Sequence, residues 1–454
     1  MLLELLSHQN LADMKYGLDP TFRFTVSRAI YKGMLKYLSD RYGCPYEVQP
    51  LPVESFSATM DGALAKLSWV PASDPLEPTA KPEGYILYTR MDDGAFNNGI
   101  VLTDFTEKDG RVFVDVKINP GHLFSFRVVA FNEGGKSFPS EVLTVGVPTG
   151  SKGSVLVVNN FDRVSAPAWF DTPTYAGFVD NLDSGVPYGS EINFIGEVFD
   201  FNRMAPWTDD DNPGFGGSYS DMAGKLVAGN TFDFVYSHAK AFFDNGYSVS
   251  SSSASAFDGE KGLFTTLDLI CGKQVTTLIG RGAVENRYPV FPSALRSSIE
   301  KFSRSGGNIL VSGSYIATDV WDHVYSIDYD KADREAAQAF VKNVLGYKWL
   351  TNFGTRSEKV LPKKNSLIQM ASPVFYNRSF SPSFYRVENP DGISPATESA
   401  EAFMLYSDSN IPAATAYTAS DHKAVAFGFP LETVKNEDER RTLVAKAMEF
   451  FEKR

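Results

Sequence analysis

Near residue 150 the hydrophobic rhythm of this 454-residue chain changes, and the change limits the folds open to it. Between residues 53 and 147 large side chains fall at every second position in short runs: Ala65–Trp69, Gly84–Arg90, Val112–Ile118 and Phe124–Ala130. A period of two buries one face of a sheet, so this stretch is expected to be all-β and about one sandwich in length. From residue 154 strand-sized apolar runs alternate with helix-sized ones, which predicts an α/β unit on a mostly parallel sheet. Its expected strands are Ser154–Val158, Asp233–Tyr236, Val275–Ile279, Asn308–Ser312 and Ala424–Gly428. Its clearest helices are 294–304 and a C-terminal one with Leu443, Val444, Ala447, Met448 and Phe451 on one face.

Proline-bearing punctuation at 44–52 and 147–153 sets the expected divisions at 1–46, 53–148 and 154–454. The first zone offers an apolar run, Leu2–Leu6, read as a strand, and a helical pattern from Phe24 to Leu38. One strand and one helix cannot close a core, so this zone reads as the tail of a larger unit. A strand left unpaired at 2–6 would aggregate or dock on a partner chain. With 43 basic against 55 acidic residues and no basic run longer than a pair, nucleic acid is excluded as the main partner. No apolar run reaches the ~18 residues of a membrane span, and the start lacks the basic region of a signal peptide.

Several residues invite a chemical reading. Glu4, flanked by leucines, is either an edge-strand carboxylate facing solvent or a group held for chemistry. The five histidines form no metal-ligand spacing, and no metal is expected from them. Asn159, Asn160, Asp162 and Arg163 follow the first expected α/β strand, where open sheets place binding clefts. His238 could meet Ser314 and Asp319 at the same sheet end, although Ser312–Ile316 lacks the G-x-S-x-G elbow of a hydrolytic serine. Cys271 reads as a small buried hydrophobe. Aromatics in loop-like segments, Trp207 foremost, suit either stacking on sugar rings or pinning insertions to the core.

Resemblances to known families extend this reading. Trp69 followed by Phe-Ser-Phe-Arg-Val-Val-Ala-Phe-Asn-Glu-Gly-Gly-Lys-Ser at 124–137 resembles a fibronectin type III module, with Phe124 where that family usually carries its corner tyrosine. The strand–helix–Gly-Gly–strand order at 294–315, with Gly428–Val434, resembles flavodoxin-like, amidotransferase-like α/β domains. Ser314 or a neighbour stands where the amidotransferase cysteine would be, so that catalysis is not expected.

Glu4 with Ser7, Asn10 and the helix containing Ser27–Gly33 looks like the last strand and helix of zinc-dependent N-acetylmuramoyl-L-alanine amidases. The resemblance implies a role for Glu4 in assisting a zinc-bound water. It also implies that the zinc ligands lie upstream, so no cofactor is expected in this chain and amide hydrolysis is expected to be absent. The whole arrangement is similar to secreted bacterial proteins labelled amidase or xanthan lyase. An extracytoplasmic location and peptidoglycan or another glycan as partner follow from the resemblance alone. The alternatives are a non-catalytic glycan-binding protein or an accessory region of a polysaccharide lyase.

Overall fold

The computed structural model describes residues 3–7, 10–172, 176–192, 199–200, 217–218, 226–278, 287–322 and 330–453. Two helices come first, α1 (Leu11–Gly17) and α2 (Pro20–Tyr42). Asp19 caps α2 by accepting from the Phe22 N–H, Pro20 supplies a ready φ at its first turn, and Gly43 closes it at φ 68°. The expected strand at 2–6 is a correction: residues 3–7 are exposed and form no strand. The first zone is instead anchored through its helices. Leu11 and Leu18 pack with Ala176 and Phe178, and Lys15 pairs with Asp171 at 3.1 Å.

The sandwich forms as its period-two pattern dictates. Strands β1 (Glu54–Asp61), β2 (Leu64–Val70) and β4 (Arg111–Lys117) make one antiparallel sheet. Strands β3 (Gly84–Met91), β5 (Leu123–Asn132) and β6 (Leu143–Gly146) make the other. Fully buried Trp69 lies between them, edge-on to Phe56 and Tyr85. Phe124 packs half-buried against this core, so apolar contact holds the corner.

The α/β unit is built on β7 (Ser154–Asn159), β8 (Ser248–Ser253), β9 (Phe264–Gly272), β10 (Asn308–Gly313) and β11 (Lys423–Phe427). All five are parallel, in the spatial order β8–β7–β9–β10–β11, and an antiparallel pair, Pro412–Thr418 and Ala400–Tyr406, extends the far edge. Helices α3 (Val235–Asp244) and α5 (Glu437–Glu452) cover one face, meeting Val155, Val157 and Phe427. Helix α4 (Ser293–Arg304) covers the other, meeting Leu156, Val158 and Ile309. Successive β7 residues point to opposite faces and both faces are covered, which is why that strand is apolar throughout.

Two expected strands are corrected. Residues 235–244 are helical, because Val235, His238, Ala239 and Phe242 recur at helical spacing on a buried stripe, while Asp233 pairs with Arg90 of β3 at 2.6 Å. Val275–Ile279 forms only an isolated bridge, Thr277 to Arg287, with Ile279 outside the described residues; the neighbouring strand is β9, which contains Cys271. Cys271 is fully buried, as a small hydrophobe would be.

Strand β8, Ser-Val-Ser-Ser-Ser-Ser, was not expected from any apolar pattern. Its outer edge pairs with β1 (Ser57 to Ser252) and with β6 (Gly146 to Val249), so one strand joins both sheets of the sandwich to the parallel sheet. Its hydroxyls supply the missing ladder bonds. Ser251 Oγ accepts from Thr144 N at 2.9 Å and donates to Thr144 O at 2.8 Å, Ser250 Oγ accepts from Met60 N, and Ser253 Oγ donates to Phe56 O. The sandwich is therefore stitched to its neighbour rather than hung on a linker.

Candidate functional site

A cavity of about 1220 Å³ opens where the three zones meet. Its floor is the carboxyl end of β7 (Asn159, Asn160, Asp162) with Ser253 from the end of β8. Strand order reverses at β7, whose neighbours are the second and third strands of the unit, and such a reversal leaves a crevice beyond the strand ends. Phe138 to Glu141 of the sandwich form one wall. The N-terminal half of α2, with Phe24, Arg28 and Tyr31, forms another.

Each floor residue is held by a specific contact. Asn159 donates from Nδ2 to Glu141 Oε2 at 2.6 Å, across the junction between the two units, and accepts from Phe161 N. Asn160 donates to Val290 O at 2.7 Å. Gln274 clamps the following turn: its Oε1 accepts from the N–H groups of Asp162 and Arg163, and its Nε2 donates to Asp162 Oδ1 at 2.6 Å. Phe161 lies against Gly272, where a Cβ would come within 2.2 Å of the ring and where φ is 44°, so only glycine fits beneath this turn.

Two of the carboxyls on the cavity, Glu141 and Asp162, are electrostatically unusual. Burial pushes Glu141 up to about 7; the Asn159 amide opposes this, and the nearby charge of Asp162 adds to it. Asp162 is open to cavity water yet surrounded by protein, and this partial dehydration raises its pKa against the pull of Gln274. The wall cations are already engaged, Arg23 with Glu191 at 2.7 Å and Arg28 with Asp74 at 3.1 Å.

Aromatic rings line the mouth in a chain of contacts from Phe24 to Phe138 to Tyr188 to Phe232, with centroids 5.7, 6.1 and 5.3 Å apart. Phe138 is 51% and Tyr188 53% exposed, so these rings offer faces to the cavity rather than only filling a core. Tyr288 meets Thr21 through its hydroxyl at 3.2 Å, tethering α2 over the site.

Of the residues expected to form a cleft, Asn159, Asn160 and Asp162 come together here. Arg163 does not: its guanidinium turns inward to Asp183 at 2.6 Å. His238 lies on α3, with Nδ1 2.7 Å from Asp268 and Nε2 3.2 Å from Glu432, so both ring nitrogens face carboxylates and neither meets Ser314 or Asp319. Burial alone would lower its pKa, but Asp268 and then Glu432 lift it to about 9. Asp319 accepts from Thr276 N and Val290 N, which makes it a structural brace. Ser314 is buried after β10, and its backbone N–H is held by Gly272 O. The expected grouping of His238, Ser314 and Asp319 is therefore corrected.

Glu4 stands exposed on the irregular segment 3–7. Trp207 lies outside the described residues. Among the other loop aromatics, Tyr376 and Tyr385 are buried and pin their segments to the core, Tyr385 through a 2.7 Å bond to Glu432. Sequence reasoning missed Glu141, Gln274, Phe138 and Tyr188. Only the Phe138-Pro-Ser-Glu141 turn carried a signal, an apolar ring and a carboxylate beside a proline in a module of alternating pattern.

No family model matches the chain, and no curated protein matches it. Solved structures similar to part of it include the fibronectin type III domain of human fibronectin type III domain containing protein 3 (25% identity, 22% of this chain and 89% of that one, TM-score 0.17). The fourth such domain of a human protein is 23% identical over 23% of this chain and 82% of that one, with a TM-score of 0.18. The twitchin kinase region from C. elegans is 21% identical over 22% of this chain and 17% of that one, also at 0.18.

Proposed function

We propose that this chain is a non-catalytic binding protein for a glycan of the cell envelope, with the ligand seated in the cavity between α2, the sandwich and the end of β7. The observation that carries the reading is the pairing of exposed ring faces, Phe138 and Tyr188, with amide and carboxyl groups on the floor. A sugar has an apolar face that stacks on a ring and hydroxyls that need such donors and acceptors. In the same reading the sandwich is a fibronectin type III module, for which its strand pairing around Trp69 speaks. The α/β unit is flavodoxin-like, for which the strand order speaks. The extracytoplasmic location and the peptidoglycan-type ligand rest on the resemblance to envelope amidases.

Calorimetric titration of the chain with trimers of glucosamine and of N-acetylglucosamine tests the reading. Binding is expected for at least one of them, with Phe138→Ala and Tyr188→Ala each weakening it about tenfold. Their melting temperatures should stay close to that of the parent, since both rings are half exposed. No binding of either trimer, or binding untouched by both substitutions, contradicts it. The amidase alternative makes Glu4 catalytic. Release of peptide from peptidoglycan with added zinc, abolished in Glu4→Gln, would overturn the non-catalytic reading.

A further inference from the structure

Several enclosed carboxylates elsewhere in the described residues are matched by cations or hydrogen-bond donors within the chain. Asp183 meets Arg163 and Lys273, Glu388 meets Lys273, and Asp180 meets Arg386. Asp391 accepts from Ala317 N, Thr318 N and Thr318 Oγ1. Such matching is what burial of charge demands, because a carboxylate taken out of water without a cation or several donors is costly.

The cavity floor is different: Glu141 is half-buried and Asp162 is open to the cavity. Glu141 and Asp162 each receive one neutral side-chain amide, from Asn159 and Gln274, and among the described residues neither has an ion-pair partner. They come from different units, Glu141 from the sandwich and Asp162 from the turn after β7, yet both line the cavity, and Glu141 is bonded to Asn159, three residues before Asp162. Of the charged side chains on the cavity, the cations Arg23 and Arg28 are spent on Glu191 and Asp74. The enclosure is therefore left with an excess of negative charge beneath aromatic walls, and ring faces attract organic cations as well as sugar faces.

We propose that the ligand of this cavity carries a protonated amine, which sits between the carboxyl groups of Glu141 and Asp162 and supplies the positive charge that the chain itself withholds. This rests on the glycan reading above and narrows it to an amine-bearing saccharide. An ammonium has three donors, enough to reach both carboxyls at once, whereas an N-acetylated amine has one N–H and no charge. Asn159 and Gln274 then serve to aim the two carboxyls, each holding one oxygen and leaving the other for the ligand.

The experiment compares the glucosamine trimer with the N-acetylglucosamine trimer, identical apart from amine or acetamide, by calorimetry on the full chain at neutral pH. The amine trimer is expected to bind at least about tenfold more tightly, and Glu141→Gln and Asp162→Asn, both isosteric, are each expected to shrink that preference. Equal binding of the two trimers, or a preference that survives both substitutions, overturns the inference while leaving the glycan reading in place. If neither trimer binds, the glycan reading falls and the inference is judged on a sugar-free cation, 1,5-diaminopentane. Binding of that diamine to the parent and not to the double variant upholds the ammonium site, and its failure to bind removes that too.

Discussion

Two polar regions of this molecule lie a few residues apart in sequence and follow opposite rules. In the interior behind β7, Lys273 is 1% exposed and bridges Asp183 and Glu388 at 2.8 Å each, while Arg163 closes on Asp183 from the other side. Burial would raise the Asp183 carboxyl, but these two cations hold it well below the usual range. On the cavity side of the same turn, Asp162 and Glu141 have amides in place of cations, and both are shifted upward. Compensated charge fixes the excursion after β7 to the sheet; uncompensated charge, open to a cavity, is an unmet demand that a ligand can meet.

The contrast can be broken at its compensated end. Lys273→Met leaves Glu388 buried without its cation, and should cost about 3–5 kcal/mol in chemical denaturation. A loss below ~1 kcal/mol would show that the interior network is not held by its charges.

The His238 site gives the next effect. Its folded pKa of about 9 lies above the unfolded value of 6.5, so its charged contacts with Asp268 and Glu432 stabilise fully below pH 6.5 and are lost as pH rises through 9. Across that window the parent should lose roughly 3 kcal/mol that His238→Gln does not lose, read from denaturation midpoints at each pH. Parallel pH profiles for the two proteins would mean that the imidazole is neutral in the fold.

Much of the framework could be read from the sequence, and the reasons are physical. Sandwich strands β2 and β4 follow the period-two pattern because one face of each is buried, while β3 and β5 follow from apolar runs that are buried on both faces over part of their length. Strands β7, β10 and β11 and helices α4 and α5 follow from apolar runs and stripes. Strand β8 was illegible because its stability comes from serine hydroxyls bonded to Thr144, Met60 and Phe56, contacts that exist only once the sandwich is beside it. That seam also explains why the expected boundary at 148–154 is a sequence boundary without being a structural gap.

The site was half legible for a related reason. Asn159, Asn160 and Asp162 announce themselves as polar residues following an apolar strand, and topology places such residues at a crevice. Glu141, 18 positions earlier in a different unit, has no local mark, and its meaning depends on the 2.6 Å contact with Asn159. His238, Ser314 and Asp319 sit in elements of the same sheet, but the directions of their side chains, set by α3 and by the turn after β10, send them to separate partners.

The smallest effect bears most directly on the central claim, that Glu141 is a carboxyl enclosed without its cation. Its folded pKa of about 7 exceeds the unfolded 4.5, so the parent keeps this contribution below pH 4.5 and loses it as pH rises through 7. Denaturation of the parent and of Glu141→Gln across this range should therefore show the variant more stable at pH 8, by about 1–2 kcal/mol, with the advantage gone near pH 4. A variant that is less stable than the parent at pH 8 would mean that Glu141 already has its counter-charge within the protein, and the account of the cavity as a cation-seeking site would fail.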